Sequence, residues 1–511
     1  MTRKAHGGGP PRRGQNPALL ALQQRKRAQS HERFDSDVER YYRIKRLEAS
    51  PKVLDQLMVF AAYEKLLERT DLDPDLVVAC LEGLSRAWRV LQQLGDERRR
   101  PTDARNPLEA QLDIALRIVR LRGDQATSHY RLGEIWLDLA RPHDALTAAE
   151  RAVALDAEHL PAWDLIARCY RALGERDRGW QTYEHLLRRP VGPNTLHWRA
   201  VALLMTGNYL EGYPAYNTFA PPELDEPVLN WRGPYVSTLL AGQVPLWTGE
   251  PLPDGRLLLF FDGGFGDAFQ MARWVPAVRA RVASLRLAVG KELIGFCSEQ
   301  GWDVELAPWE DYGTGYDRWL NIDGLPGVCG CAQPEDLPPP PYLSATRGRA
   351  PLAGAFTVGL VWAGQPGHPY DEIRSTTLAD WTPVLEVPGV TFYSLQLGSA
   401  ARQVATWQHR IHDLSSELGD WRDTAAVLQQ LDLLIAVDSA VANLAGAMGR
   451  PVWVALYQVS DWRWLLEGGT TPWYPTARLF RQPRVGDWPS VFAEVARELE
   501  GQERARSGQA A

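Results

Sequence analysis

In the stretch DGGFGDAFQMARW (262–274), a glycine-rich loop opens a helix directly after the apolar run RLLLFF (256–261), and Asp267 stands at that opening. A helix start carries unpaired amides and a partial positive charge, so it attracts phosphate, and a carboxylate placed there competes with the phosphate. Either this loop binds no phosphate or Asp267 has another task. It can cap the helix AFQMARWVPAV, or, facing a cleft, it can accept a proton from a bound hydroxyl as a general base. Gly263, Gly264 and Gly266 leave the backbone free to turn tightly beside a ligand.

A second loop of the same construction lies in AVDSAVANLAGAMGRPVWV (436–454). Asp438 and Ser439 end an apolar strand, and the small residues Ala440, Val441 and Ala442 begin a helix with exposed amides. That arrangement suits a diphosphate, with the Ser439 hydroxyl and the Asn443 side-chain amide directed to the same anion. The plainer alternative is that Asp438 and Ser439 only cap the helix.

These loops need sheets to hold them. Strands are predicted at 256–261, 285–289, 356–364, 390–396, 431–438 and 451–457, as near-continuous Val/Leu/Ile runs separated by helical stretches, which is the pattern of parallel sheets covered on both faces. Between the second and third lies EDLPPPPYL (335–343), whose four prolines can join neither a helix nor a central strand, so it marks a hinge between two α/β halves. Their strand ends leave a cleft for both loops.

The N-terminal half is helical. Leu132, Gly133, Trp136, Ala145, Ala149 and Ala152 recur 34 positions later as Ile166, Ala167, Tyr170, Gly179, Tyr183 and Leu186, the period of stacked tetratricopeptide hairpins. A slipped copy follows at 197–217 and a partial one precedes at 109–123. The organisation expected is a disordered basic segment (1–34), a helical region (35–104), tetratricopeptide-like repeats (105–220), a first α/β domain (221–345), a second α/β domain (346–501) and a flexible tail (502–511). The last helix, 487–501, is expected to return across the cleft to the first half.

A net charge of −7 over 511 residues gives no basic face for nucleic acid, and no run approaches the roughly 20 apolar residues of a membrane span. A cytoplasmic protein is expected. Five cysteines disfavour a disulfide framework, and the pair in GVCGCAQ lacks the partners of a zinc site, so no metal is expected. The acidic DLDPD (71–75) reads as a helix cap, and the aromatics of DWRWLL (461–466) and PWYP (472–475) read as packing.

Taken in order, GGFGDAFQMARW, PLWTGEPL, VGLVWAGQPGHPYDEIRSTTLADW, SLQLG, VDSAVANLAGAMGRPVWV, DWRWLL and PWYPTARLFRQ resemble bacterial tetratricopeptide-repeat glycosyltransferases, whose catalytic half is similar to glycosyltransferase family 9, the ADP-heptose lipopolysaccharide heptosyltransferases. The resemblance covers roughly residues 105–495. It implies a GT-B-like fold, two Rossmann-like parallel-sheet domains preceded by the all-α repeats. It also implies metal-independent, inverting transfer of a sugar from a nucleotide diphosphate sugar to an acceptor hydroxyl, with no further cofactor. Asp267 matches the family's general base, and Arg374 the basic residue on the diphosphate, with Ser375 beside it. Gln396 matches a position near the nucleoside, and Asp438, Ser439, Ala440 and Val441 match the turn around the phosphates. Asn443 stands where the family commonly has histidine, and asparagine can donate a hydrogen bond but carries no proton or charge. The acceptor is a glycan, a lipid-linked glycan or a protein, and a protein partner can lie on the repeats. That departure also keeps open a repeat-domain adaptor with a degenerate transferase half.

Overall fold

The computed structural model describes residues 41, 44, 53–68, 72–93, 107–139, 141–173, 175–187, 203–204, 207–217, 244–261, 264–366, 371–458, 460–465, 467–484 and 486–509. The segment 1–34 and Gly263 lie outside the described residues.

The helical half includes α1 (Val53–Leu67) and α2 (Pro74–Gln93). Asp73 accepts the Asp75 amide at 2.8 Å, so DLDPD does serve as a helix start, with Pro74 in the first turn. There follow α3 (Pro107–Leu121), α4 (Ala126–Asp138), α5 (Pro142–Leu155), α6 (Leu160–Ala172), α7 (Arg176–Leu187) and α8 (Tyr209–Asn217). Each of α3 to α6 packs on the next, as a solenoid requires. The small residues of the repeat set how closely the helices approach. A Cβ on Gly133 would lie 2.8 Å from Leu165 Cδ2 and 3.0 Å from the Ala145 carbonyl oxygen, and Ala145, Ala149 and Ala152 are fully buried.

Two parallel sheets follow. The first, in order β3-β2-β1-β4, comprises β1 (Leu252–Phe260), β2 (Val282–Val289), β3 (Glu305–Pro308) and β4 (Arg318–Asn321). The second, in order β10-β9-β8-β5-β6-β7, comprises β5 (Thr357–Val361), β6 (Thr391–Ser394), β7 (Ile411–Asp413), β8 (Leu433–Val437), β9 (Val452–Leu456) and β10 (Ala477–Arg481). The second order is that of a doubly wound dinucleotide-binding sheet, with the chain reversing direction between β5 and β8. In the first sheet the reversal falls between β1 and β4. The helices that matter for the site are α9 (Phe265–Met271), α10 (Lys291–Ser298), α11 (Trp421–Leu428), α12 (Ala440–Ala447) and α13 (Trp488–Gln509).

The period of two along each strand divides the second domain between two cores. Leu433, Ile435 and Val437 of β8 join Val358 and Leu360 of β5 in one, while Leu434 and Ala436 join a larger core that also holds Leu257 and Leu259 of β1 and Tyr209 and Tyr213 of α8. One apolar core therefore runs through both α/β domains and the last repeat helix, and this docks the three parts. The proline-rich linker is likewise tied down: Tyr342 donates its amide to the Ala447 carbonyl at 3.1 Å, and Arg273 reaches the Pro338 carbonyl at 3.2 Å.

Helix α13 departs from expectation. Its buried Val491, Phe492, Val495 and Leu499 pack with Trp381, Val384 and Leu385, all in the second domain, and Arg506 pairs with Asp432. The apolar face finds its partners on its own domain, so the helix does not return to the first half, and it continues to Gln509 where a tail was expected.

Candidate functional site

The site lies where the two sheet reversals face each other. In the first sheet Phe260 pairs with Asn321, so the chain after β1, leading to α9, and the Ile322–Gly324 turn after β4 leave the sheet side by side. In the second, Val361 pairs with Ala436, which sets the Trp362–Gly364 segment beside Asp438 and Ser439. Crevices of this kind are the usual ligand sites of open parallel sheets.

Helices α9 and α12 cross between the domains at this point. Only glycine fits the crossing, because a Cβ on Gly266 would stand 2.9 Å from Asn443 Nδ2 and 3.6 Å from Ala440 Cα. Gly264 precedes α9 and donates its amide to Asp267 Oδ2 at 3.0 Å. Asp267 Oδ1 pairs with Arg463 at 3.0 Å. Asp267 thus caps its own helix and is ion-paired at once. A carboxylate offers about four acceptor sites, so capping and ion pairing can be met by one side chain.

Arg463, 7% exposed, is the hinge pin of this cluster. It comes from the loop after β9 and also meets Asp323 at 3.2 Å and Asp461 at 3.0 Å, with its guanidinium 4.5 Å above the Trp462 ring. Three carboxylates from three segments of two domains therefore share one cation. Asp438 sits within the same field: burial pushes its carboxyl up to about 6, against the pull of Arg374, with Asp461 raising it further.

Arg374 lies against the backbone of Gly364, where a Cβ would come 2.5 Å from its terminal nitrogen. Its Nε lies 3.6 Å from Asp371 Oδ1 and, buried, has no hydrogen-bond partner among the described residues. Ser375 is spent locally, accepting the Gly364 amide at 2.8 Å and donating to Asp371 at 2.7 Å. Gln396, buried, accepts the Trp362 and Ala363 amides at 3.0 and 2.9 Å and donates to the Ala363 and Leu397 carbonyls. It splices the loops after β5 and β6. Ser439 caps α12 by accepting the Ala442 amide at 3.4 Å, and Ala440 and Val441 form the first turn, whose amides have no partner within the helix. Asn443 points inward: its Nδ2 donates to the Ser439 carbonyl at 3.0 Å and its Oδ1 accepts the Tyr474 hydroxyl at 2.9 Å.

The structure thus brings together Gly264, Gly266, Asp267, Asp438, Ser439, Ala440 and Asn443 at the domain junction, with Arg374 and Ser375 on the β5 side and Gln396 beneath. Asp323, Asp461, Arg463 and Arg273 did not emerge from the sequence. Asp461 and Arg463 lay inside DWRWLL, where four apolar residues masked an Asp-x-Arg pair. Arg273, 3% exposed, is ringed by Trp274, Tyr342, Trp473 and Tyr474 and donates to the Trp473 carbonyl at 2.8 Å and to Tyr342 Oη at 3.0 Å. Among the described residues no group of three His, Cys, Asp or Glu side chains is arranged to hold a metal ion, and no helix is long and apolar enough to cross a membrane.

No family model matches the chain. It is 26% identical over 412 residues to Protein FlbA of Caulobacter vibrioides, a match covering 72% of this chain and 66%, just under two thirds, of that protein's length. Among solved structures, E. coli ADP-heptose lps heptosyltransferase II aligns at 14% identity over 49% of this chain and 99% of its own, with a TM-score of 0.37. Thermobaculum terrenum O-GlcNAc transferase aligns at 12% identity over 94% of this chain and 93% of its own, with a TM-score of 0.36. By its own stacked hairpins and its two facing parallel sheets, the chain is a tetratricopeptide-like solenoid joined to a GT-B-like pair of domains, and it is similar to glycosyltransferases.

Proposed function

We propose that the protein is a glycosyltransferase that moves a sugar from a nucleoside diphosphate to an acceptor hydroxyl, with inversion and without a metal ion. One observation carries this: the glycine turn that bears Asp267, on the first sheet's reversal, packs through Gly266 against Ala440 at the anion-suited start of α12 on the second. In the step proposed, the acceptor oxygen attacks the anomeric carbon from the face opposite the diphosphate. The new C–O bond forms as the bond to the diphosphate breaks, and Asp267 takes the hydroxyl proton. Arg374 and the first amides of α12 offset charge growing on the leaving diphosphate. These cationic and dipolar groups favour the metal-independent form and call for no cofactor beyond the nucleotide sugar. The acceptor, a glycan, lipid-linked glycan or protein, would approach from the side of the repeats, which dock at the same junction through α8.

A second reading has its own observation. Both polar atoms of the Asn443 side chain already bond within the protein, and Asp267 is ion-paired, as suits a repeat-domain scaffold with a degenerate transferase half. Thermal shift across a panel of nucleotide sugars separates the two. A donor at a hundred times its Kd stabilises by about 2.7 kcal/mol, and Asp267→Asn then lowers transfer by about 10²- to 10⁴-fold while keeping that shift. A panel with no shift and no transfer supports the scaffold.

A further inference from the structure

We propose that Arg463 is a positioning residue for Asp267, and that the last repeat helix, α8, sets Arg463 and so places the base under the control of the repeat domain. This rests on the base role given to Asp267 above. The geometry is continuous. Arg463 holds Asp267 at 3.0 Å and Asp323 at 3.2 Å, both on the first α/β domain, while Asp461, its neighbour on the second, takes another nitrogen at 3.0 Å. The carboxylate of Asp267 is therefore fixed from two sides, by the Gly264 amide on its own helix and by a guanidinium from the other domain. The planar fork of arginine can serve three carboxylates at fixed angles, which an ammonium point charge cannot.

Helix α8 reaches this guanidinium through both of its supports. Tyr213 packs edge-on against Trp462 at 6.1 Å, and Trp462 carries the Arg463 guanidinium on its face. The same helix packs on the Ile322–Gly324 turn, which bears Asp323. Tyr209 meets Trp473, which in turn packs edge-on against Trp462 at 5.9 Å. A shift of α8 thus moves the ring beneath Arg463 and the acid beside it together. Sub-ångström placement is what a base needs, since a 1 Å displacement costs about 10²-fold in rate.

The test uses the full chain with its active nucleotide-sugar donor and measures kcat, donor KM and donor Kd for Arg463→Met, Arg463→Lys and Tyr213→Ala. Expected is a loss of about 10²-fold in kcat for Arg463→Met with donor Kd changed less than about threefold, partial rescue in Arg463→Lys, and a smaller loss of the same kind in Tyr213→Ala. Combining Arg463→Met with Asp267→Asn should cost nothing beyond Asp267→Asn alone. If Arg463→Met does not fold, Arg463→Lys decides, with a reduced kcat at unchanged donor Kd supporting the proposal. Unchanged kcat in the Arg463 variants, or kcat and donor affinity falling together, overturns it while Asp267 still proves essential. Wild-type transfer that survives Asp267→Asn, or no wild-type transfer with any donor, overturns the base role and this inference with it.

Discussion

Gly266→Ala tests whether the two α/β domains are docked through the crossing of α9 and α12. The added methyl would stand 2.9 Å from Asn443 Nδ2, a buried amide whose hydrogen bonds to the Ser439 carbonyl and from the Tyr474 hydroxyl hold it in place. Overpacking of this kind costs about 1–3 kcal/mol, and displacing the amide from one partner adds about 1 kcal/mol. Alanine gains at most about 1 kcal/mol over glycine in a helix, and less in the first turn, so the steric term decides the sign. A net loss of about 1–3 kcal/mol is expected by urea unfolding followed through tryptophan fluorescence. The amide is the obstacle, so in an Asn443→Ala background the same glycine substitution should cost less than about 0.5 kcal/mol. Gly266→Ala that is neutral in the natural background, or equally costly in both, would refute the crossing as the point of contact.

The strands that were legible in the sequence are the inner ones. β1, β2, β5, β6, β8 and β9 were all expected, and each has a neighbour on both sides. The four that were missed, β3, β4, β7 and β10, are the four edges. Inner strands of a parallel sheet are covered on both faces and read as unbroken apolar runs, whereas an edge admits charge. Arg318 of β4 reaches out to Glu250, and Arg478 and Arg481 of β10 reach Glu498 and the Trp464 carbonyl, so RWLN and ARLFR carry no strand signature. The site divides in the same way. Gly264, Gly266, Asp267 and the Asp438–Asn443 turn were visible because small residues at a strand-to-helix junction form a local pattern. Arg463 and Asp323 lie 140 residues apart, and no local pattern records a contact that exists only once two domains close. The inward turn of Asn443 has the same cause, since its partner Tyr474 arrives from the loop beyond the next strand, β9.

Arg273→Met should loosen the junction, because it leaves the buried Trp473 carbonyl without its donor at about 1–3 kcal/mol and also removes the donor to the half-buried Pro338 carbonyl. A loss of at least about 1 kcal/mol in urea unfolding is expected, and a loss below about 0.5 kcal/mol would refute the role. Asp438 gives a prediction in pH. Burial raises its carboxyl from 3.8 to about 6, so the folded protein holds the proton more tightly than the unfolded chain. The sign follows from linkage: the stabilisation is complete below about pH 4, is lost as pH rises to about 6, and is constant beyond. Asp438→Asn lacks this loss, so the variant should gain on the wild type by on the order of 2 kcal/mol between those limits and run parallel above them. The same carboxyl, once ionised, repels a diphosphate at α12. A nucleotide sugar, esterified at both ends of its diphosphate, keeps a constant charge over this range, so its affinity for the wild type should weaken as pH rises through about 6 and its affinity for Asp438→Asn should not. Titration calorimetry at a series of pH values measures both proteins. Wild-type and variant affinities that fall in parallel would place the diphosphate away from Asp438, and with it the donor end of the proposed reaction.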